Sequence, residues 1–146
     1  MNSLALWAAA ALAALGGDSA EAIRKDRAAL QGVWKVTASE QGGERVPADD
    51  IKDLFLIFQG EAIQIREGGK AEVRFAFALA PTKSPKEIDL TIQVGPNKGK
   101  VDRAIYRLDG DNLSICIQSD RDAPRPREFA TRAGGKLWLV VLQRAK

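Results

Sequence analysis

The 146-residue sequence contains no histidine. That absence removes serine–histidine triads, histidine general bases and every histidine-containing zinc site at once. Cysteine is nearly absent too: Cys116 stands alone, so no disulfide can form within the chain. Aromatic residues make up only 6% of the sequence, without the clustered stacking residues of a nucleic-acid binder. Neither sign of charge dominates, with 22 Lys and Arg against 19 Asp and Glu. The small basic excess favours anionic surfaces or polymers only mildly. No apolar run reaches the roughly 20 residues that span a bilayer.

The longest apolar run, Leu4 to Leu15, is rich in Ala and Leu and is followed by Gly16-Gly17-Asp18-Ser19. Next comes Ala20-Glu21-Ala22, small residues at the spacing a signal peptidase reads. Residues 1–22 are therefore expected to be a signal peptide cleaved after Ala22, with 23–146 the folded domain, periplasmic or extracellular and without a stable membrane span. No Lys or Arg precedes the run, and the alternative is an apolar helix packed on the domain. Cleavage would remove Asp18 and Glu21 and leave 22 basic against 17 acidic residues, a formal +5.

The rest of the chain reads as strand after strand. Ile23 to Gln31 has the spacing of a short helix, ended by Gly32, with Arg24, Lys25 and Asp26 facing water. Val33 to Glu40 alternates, placing Trp34, Val36 and Ala38 on one face. Pro47 to Asp53 predicts one or two helical turns, with Pro and acids at the amino end as the helix dipole prefers. Strands are expected over Leu54–Phe58, Ala62–Arg66, Ala71–Ala80, Glu87–Val94, Val101–Leu108, Leu113–Gln118 and Leu137–Arg144, with a short one around Glu128–Thr131. Ile63 and Ile65 should face inward; Val73, Phe75, Phe77 and Leu79 share one face of their strand, and one face of the next carries Ile88, Leu90, Ile92 and Val94. Asp109-Gly110-Asp111-Asn112 is the strongest hairpin signal. About nine short strands joined by tight turns, with no crossover helices, predict an all-β antiparallel up-and-down sheet. A sheet of that length must curl or split to hide its edges. A closed barrel of about 8–9 strands is the simplest solution, with a two-sheet sandwich as the alternative.

Gly32-x-Trp34 at the start of the first strand, after a short helix, resembles the first motif of the lipocalins. The resemblance implies that Trp34 sits at the closed end of a barrel, covered by an Arg from the last strand, for which Arg144 is the match. A wider likeness runs over Leu30–Val36 (LQGVWKV), Val46–Phe58 (VPADDIKDLFLIF), Pro85–Thr91 (PKEIDLT), Ile105–Cys116 (IYRLDGDNLSIC), Arg125–Phe129 (RPREF) and Leu139–Arg144 (LVVLQR). These segments resemble a small exported domain family, abundant in planctomycete bacteria, known only as a lipocalin-like domain of unknown function. What the likeness implies is a calycin-type barrel, shorter than typical lipocalins and without their long helix after the barrel.

The candidate sites follow from that frame. Gly32, Trp34 and Arg144 are expected to be a structural plug at the closed end rather than a cation–π binding site. Phe58, Phe75, Phe77, Tyr106, Phe129 and Trp138 either line an apolar ligand pocket or fill the barrel. In a pocket, Tyr106 would supply the polar orienting group. Arg121, Arg125, Arg127 and Arg132 form the densest basic cluster, either a solvated rim or a surface for an anionic or protein partner. Cys116, between Ile115 and Ile117, should point outward if those two point in, and is expected to be inert, since a reactive thiol needs a nearby base or cation. Asp49, Asp50 and Asp53, and Asp109 and Asp111, sit where a helix start and a turn want acids, and their spacing does not fit an EF-hand. No catalytic residue, metal or cofactor is expected. The function read from the sequence is a non-catalytic exported module for a small apolar or amphipathic ligand. The alternative is an interaction domain with a filled barrel, meeting a protein or anionic polymer through its loops.

Overall fold

The computed structural model describes residues 19–68 and 70–146. The apolar run at residues 4–15, on which the expected signal peptide rests, lies outside them. Helix α1 (19–30) is followed by β1 (Gly32–Gln41), β2 (Glu44–Arg45), α2 (Ala48–Ile51), β3 (Leu54–Gln59), β4 (Ala62–Glu67) and β5 (Lys70–Ala80). The chain continues through β6 (Lys86–Ile92), β7 (Val101–Asp109), β8 (Asn112–Gln118) and β9 (Leu137–Arg144). Each strand pairs antiparallel with its neighbour, and β9 returns to pair with β1. The result is a closed eight-stranded barrel, with β2 appended to the far end of β1. Closure settles the choice against a sandwich: β1 is long enough to pair with β3 over Gly32–Lys35 and with β9 over Trp34–Gln41.

Among the described residues no helix is long and apolar enough to cross a membrane. Two short helices lie at opposite ends of the barrel. At one end α1 delivers Leu30, 1% exposed, onto the core. At the other, α2 delivers Ile51, 7% exposed. Pro47 precedes α2, and Asp49 and Asp50 occupy its first turn, where unpaired amides favour negative charge.

The core is the barrel interior. Trp34, Val36, Leu56, Phe58, Ile63, Phe75, Phe77, Ile88, Leu90, Ala104, Tyr106, Ile115, Val140 and Leu142 are all buried in one cluster. Phe58 and Phe77 meet edge to face with ring centroids 5.4 Å apart, an arrangement aromatic pairs prefer. The interior is filled through its middle.

Several expectations change in detail. A bulge between Val36 and Ala38 shifts the parity of β1. Ser39, expected on the outer face, turns inward and is buried, while Ala38, expected inside, is only half-buried. The extra residue bends β1 so that one strand can serve two neighbours. Val73, on the same face as the buried Phe75, Phe77 and Leu79, is itself 37% exposed, because β5 pairs with β6 only from Phe75 onward. Val94 lies past the end of β6 and is exposed as well. The strand expected around Glu128–Thr131 does not form. Gln118 pairs directly with Leu137, so the barrel wall closes without it.

Residues 119–136 instead form a strap across the outer face of the barrel. Arg125 anchors it, donating to the carbonyl oxygens of Ala104 at 2.9 Å and Ile88 at 3.3 Å and to Asp89 Oδ1 at 2.7 Å. Arg103 donates to the carbonyls of Arg121 and Ala123, and Gln118 to that of Pro124. At the far end Thr131 Oγ1 donates to Glu40 and accepts from the Gly43 amide. Beneath the strap lie Ile105 and Cys116, paired with each other across β7 and β8 and both buried although they face away from the interior.

Candidate functional site at the barrel mouth

The α1 end of the barrel is sealed. Gly32 has φ +116, and a Cβ there would meet Arg144 Nη1 at 3.3 Å, so glycine serves both the backbone and the approach of the arginine. The Arg144 guanidinium lies 4.3 Å from the centroid of the Trp34 ring. It donates to the carbonyls of Gln31 at 2.8 Å and Ala29 at 2.6 Å and pairs with Asp111 at 3.2 Å. Trp34 is fully buried and donates through Nε1 to the Leu30 carbonyl at 2.8 Å. Gly32, Trp34 and Arg144 therefore come together as a plug that ties α1 to both barrel seam strands.

A second knot holds α1 to the opposite wall. The Tyr106 hydroxyl donates to Asp26 Oδ2 at 2.6 Å, and Lys86 Nζ donates to the same oxygen at 2.9 Å. Burial, then the hydrogen bond to Asp26 and its negative charge, push the Tyr106 hydroxyl well above the usual tyrosine range. Asp26 is buried, not facing water as the sequence suggests. It lies four residues before Leu30 and so on the same face of the helix, the signal that could have found it. Gln31 adds a reciprocal pair of bonds with Gly60, and Arg27 approaches Glu61 at 3.6 Å while its Nε has no partner.

The opposite end is built differently. Val46, Ile65, Ile92 and Trp138 pack against the core yet stay partly exposed. Trp138 Nε1 donates to Ser39 Oγ at 2.6 Å, a contact created by the β1 bulge. Beside Trp138 opens a cleft of about 270 Å³ lined by Gln41, Ser119, Gly135, Lys136 and Leu137. Asp102 belongs to the same end: it pairs with inward-facing Leu90 and shares the strand parity of Ala104 and Tyr106, so its carboxylate points inward. It is 8% exposed. Arg121 Nη2 lies 3.1 Å from its Oδ1 but off the hydrogen-bond axis, and that oxygen accepts no hydrogen bond. Burial pushes the Asp102 carboxyl up, and the Arg121 charge only partly pulls it back.

The expected lining residues therefore separate. Phe58, Phe75, Phe77 and Tyr106 are buried filling. Trp138 stands at the mouth. Phe129 is not inside the barrel: it lies on the strap, under the outward-facing Arg107 with the guanidinium carbon 4.6 Å from its ring centroid. The arginine cluster separates too. Arg121 and Arg125 are consumed by Asp102, Glu87 and Asp89, Arg132 meets Glu128 at 3.3 Å at the surface, and Arg127 is exposed with no ion pair among the described residues. Cys116 does face outward, as its flanking isoleucines imply, but the strap covers it and its thiol donates to the Ala130 carbonyl at 3.6 Å. Burial raises its pKa. Asp49, Asp50, Asp53 and Glu67 line a separate open cleft of about 420 Å³ beside α2. Among the described residues no group of acids and cysteine is arranged to hold a metal ion.

Ser39 and Asp102 are the two mouth residues that sequence reasoning missed. Asp102 was within reach, since alternation from Tyr106 through Ala104 points it inward. Ser39 was not, because nothing in the local pattern announces the bulge. Compared with protein-family models and with curated proteins, the chain matches none.

Proposed function

We propose that this chain is a non-catalytic, exported, lipocalin-like binding module that takes a small apolar or amphipathic molecule at the mouth opposite α1. The observation that carries the reading is the asymmetry of the two barrel ends. One is sealed by buried, hydrogen-bonded groups, while the other leaves Val46, Ile65, Ile92 and Trp138 half-buried against the core, with a small cleft beside Trp138. Pockets for small molecules combine apolar walls with a few placed polar groups, and Ser39, Asp102 and Arg121 are such groups here. The filled interior limits the ligand to a shallow seat. The assembled Gly32–Trp34–Arg144 plug supports the lipocalin-like assignment. Export is supported by the contacts of α1: Asp26, Arg27, Ala29 and Leu30, which hold it to the barrel, all follow Ala22.

The test is a titration of the purified domain with N-phenyl-1-naphthylamine, an apolar dye that brightens on leaving water. Saturable 1:1 binding that weakens at least about tenfold in Trp138→Ala is expected. No saturable binding, or binding indifferent to Trp138, refutes the mouth reading. Amino-terminal sequencing of the protein from its producing cells should begin at Ile23, and an intact amino terminus refutes export by cleavage.

A second reading has one observation in its favour. Arg127 is exposed between two clefts beside the strap, which fits an anionic polymer or an acidic protein surface. Retention on immobilised heparin that falls with salt and is lost in Arg127→Ala is its expected signature.

A further inference from the structure

One lip of the mouth, built from the start of β5, the end of β6 and the turn into β7, carries uncovered apolar side chains. Of the four large apolar residues that stand exposed among the described residues, Val73, Val94 and Val101 lie here, at 37%, 43% and 40%. Only Val33 lies elsewhere, at the α1 end. Strand register explains the grouping. Phe75 pairs with Ile92, and one step further along that ladder the Gln93 amide donates to the Arg74 carbonyl at 2.9 Å. The next step sets Val94 opposite Val73, which itself pairs with Ile65 on β4. Val73 and Val94 thus continue the inner face of the wall beyond the half-buried Ile65 and Ile92. Val101 pairs with Thr91 and, by alternation from the inward Asp102, stands on the outer face of the same lip.

The turn is a fixed projection rather than a loose loop. Ile92 donates to the Lys100 carbonyl at 2.9 Å, and the Ile92 carbonyl accepts from the Gly99 amide at 2.7 Å. It presents Lys98 and Lys100, both exposed, and Arg74 is exposed beside it on β5. None of the three has an ion pair among the described residues. Residues 90–101 contain no acid, and the next residue, Asp102, is buried against Arg121. Asp49, Asp50, Asp53 and Glu67 line their own cleft beside α2.

We propose that this lip docks the barrel mouth on an anionic lipid surface. Val73, Val94 and Val101 enter the boundary between head groups and acyl chains, and Arg74, Lys98 and Lys100 meet the lipid phosphates. The pairing of the two residue types decides the occupant. A soluble polyanion satisfies the cations but offers nothing to three exposed valines. A lipid boundary takes apolar side chains of any shape and surrounds them with negative charge. Lysine and arginine suit that boundary, since their stems lie along apolar surface while the charge reaches outward. The acidic cleft beside α2 sets the tilt, because like charge turns it away from the surface. This docking goes beyond the ligand-binding reading and does not depend on it. It would bring the mouth to where amphipathic molecules are held.

The test is sedimentation of the protein, as isolated from its producing cells, with two kinds of vesicle. One is phosphatidylcholine alone, the other an equal mixture of phosphatidylcholine and phosphatidylglycerol, and every variant carries the same amino terminus as wild type. Binding is expected to the mixed vesicles, weakly or not at all to the neutral ones, and should fall as salt rises. Lys98→Glu combined with Lys100→Glu should weaken it at least about tenfold, since each basic residue near such a surface is worth about fivefold. Val73→Ser combined with Val94→Ser leaves the charge unchanged and should also weaken it about tenfold, through lost apolar burial. Circular dichroism melts establish that the variants are folded, and Val101→Ser supplies the apolar test if the double variant is not. No binding to either vesicle, equal binding to both, or binding that survives the lip variants and is lost in Arg127→Ala overturns the proposal. The dye titration, run without vesicles, reads the ligand seat separately. Docking without dye binding leaves this proposal standing and removes the ligand reading; dye binding without docking does the reverse.

Discussion

The two ends of the barrel are made from the same strands and solve opposite problems. At the α1 end Arg144 stacks on Trp34 and meets the carbonyls of Ala29 and Gln31, and Tyr106 meets Asp26 and Lys86, while Arg27 Nε alone is left without a partner among the described residues. At the mouth the inward Asp102 carboxylate is held only by its ion pair with Arg121, and apolar residues stay half-buried. Fully satisfied polar networks rigidify a core, whereas an incompletely satisfied one carries a cost. The difference also shows in what covers each end. A helix of three turns lies over the first, a single turn of helix over the second.

Substitutions should separate the two ends cleanly. The largest effect is expected at the plug: Trp34→Ala removes a fully buried side chain and should cost about 3–5 kcal/mol in chemical denaturation. A loss under 1 kcal/mol there would mean that the plug is not what holds this end.

Tyr106→Phe should cost about 1–3 kcal/mol, because Asp26 loses its shortest hydrogen bond while staying buried. The same pair predicts a pH dependence. The folded Tyr106 holds its proton more tightly than the unfolded chain does, its pKa being raised by burial and by Asp26. Its contribution is therefore complete below the ordinary tyrosine pKa and is lost as pH rises through it, at up to about 1.4 kcal/mol per pH unit. Tyr106→Phe should flatten that alkaline decline, and denaturation curves from about pH 8 to 11 measure it.

Arg125→Ala loosens the strap and should cost about 1–2 kcal/mol by leaving Asp89 and two carbonyls without their donor. Its sharper readout is Cys116. The thiol should react slowly with an aromatic disulfide reagent in the wild type and markedly faster in the variant, because the strap covers it. Equal rates would show that the strap opens on its own.

The smallest effect, and one of opposite sign, is expected at the mouth. Burial raises the Asp102 pKa, so its contribution is complete below the ordinary carboxylate range and is lost as pH rises above about 4. Asp102→Asn removes that loss and should leave the domain as stable as wild type at neutral pH, or more stable by up to about 1 kcal/mol. A clear destabilisation at neutral pH would make Asp102 a structural partner of Arg121 and erase the contrast between the ends.

Much of this architecture was legible residue by residue. Trp34 and Val36, then Phe75, Phe77 and Leu79, then Ile88 and Leu90 announce their faces through strict alternation, and the tight turns between them leave only antiparallel neighbours. Gly32, Trp34 and Arg144 could be joined on paper only through the resemblance to the first lipocalin motif; in the structure the closed barrel brings the start of its first strand beside the end of its last. What escaped the reading lay where long-range contacts override the local pattern. Glu128 to Thr131 alternates plausibly enough for a strand, but β8 and β9 pair with each other and leave it to lie outside, taking Phe129 with it. The arginines of that segment look like one basic patch in sequence. Three-dimensional pairing spends Arg121 and Arg125 on the barrel and leaves Arg127 free of an ion pair among the described residues.

The sequence by itself determined that this is an antiparallel all-β chain without histidine chemistry, because side-chain period and turn residues are local properties. Only the tertiary structure decided that the sheet closes into a barrel rather than splitting into a sandwich, which end is sealed, that a bulge brings Ser39 to Trp138, and that Asp102 is buried beside Arg121. Those features depend on how β1 reaches two neighbours, on a helix laid over one end, and on a strap whose contacts lie far apart in the chain. No local pattern encodes distances of that kind.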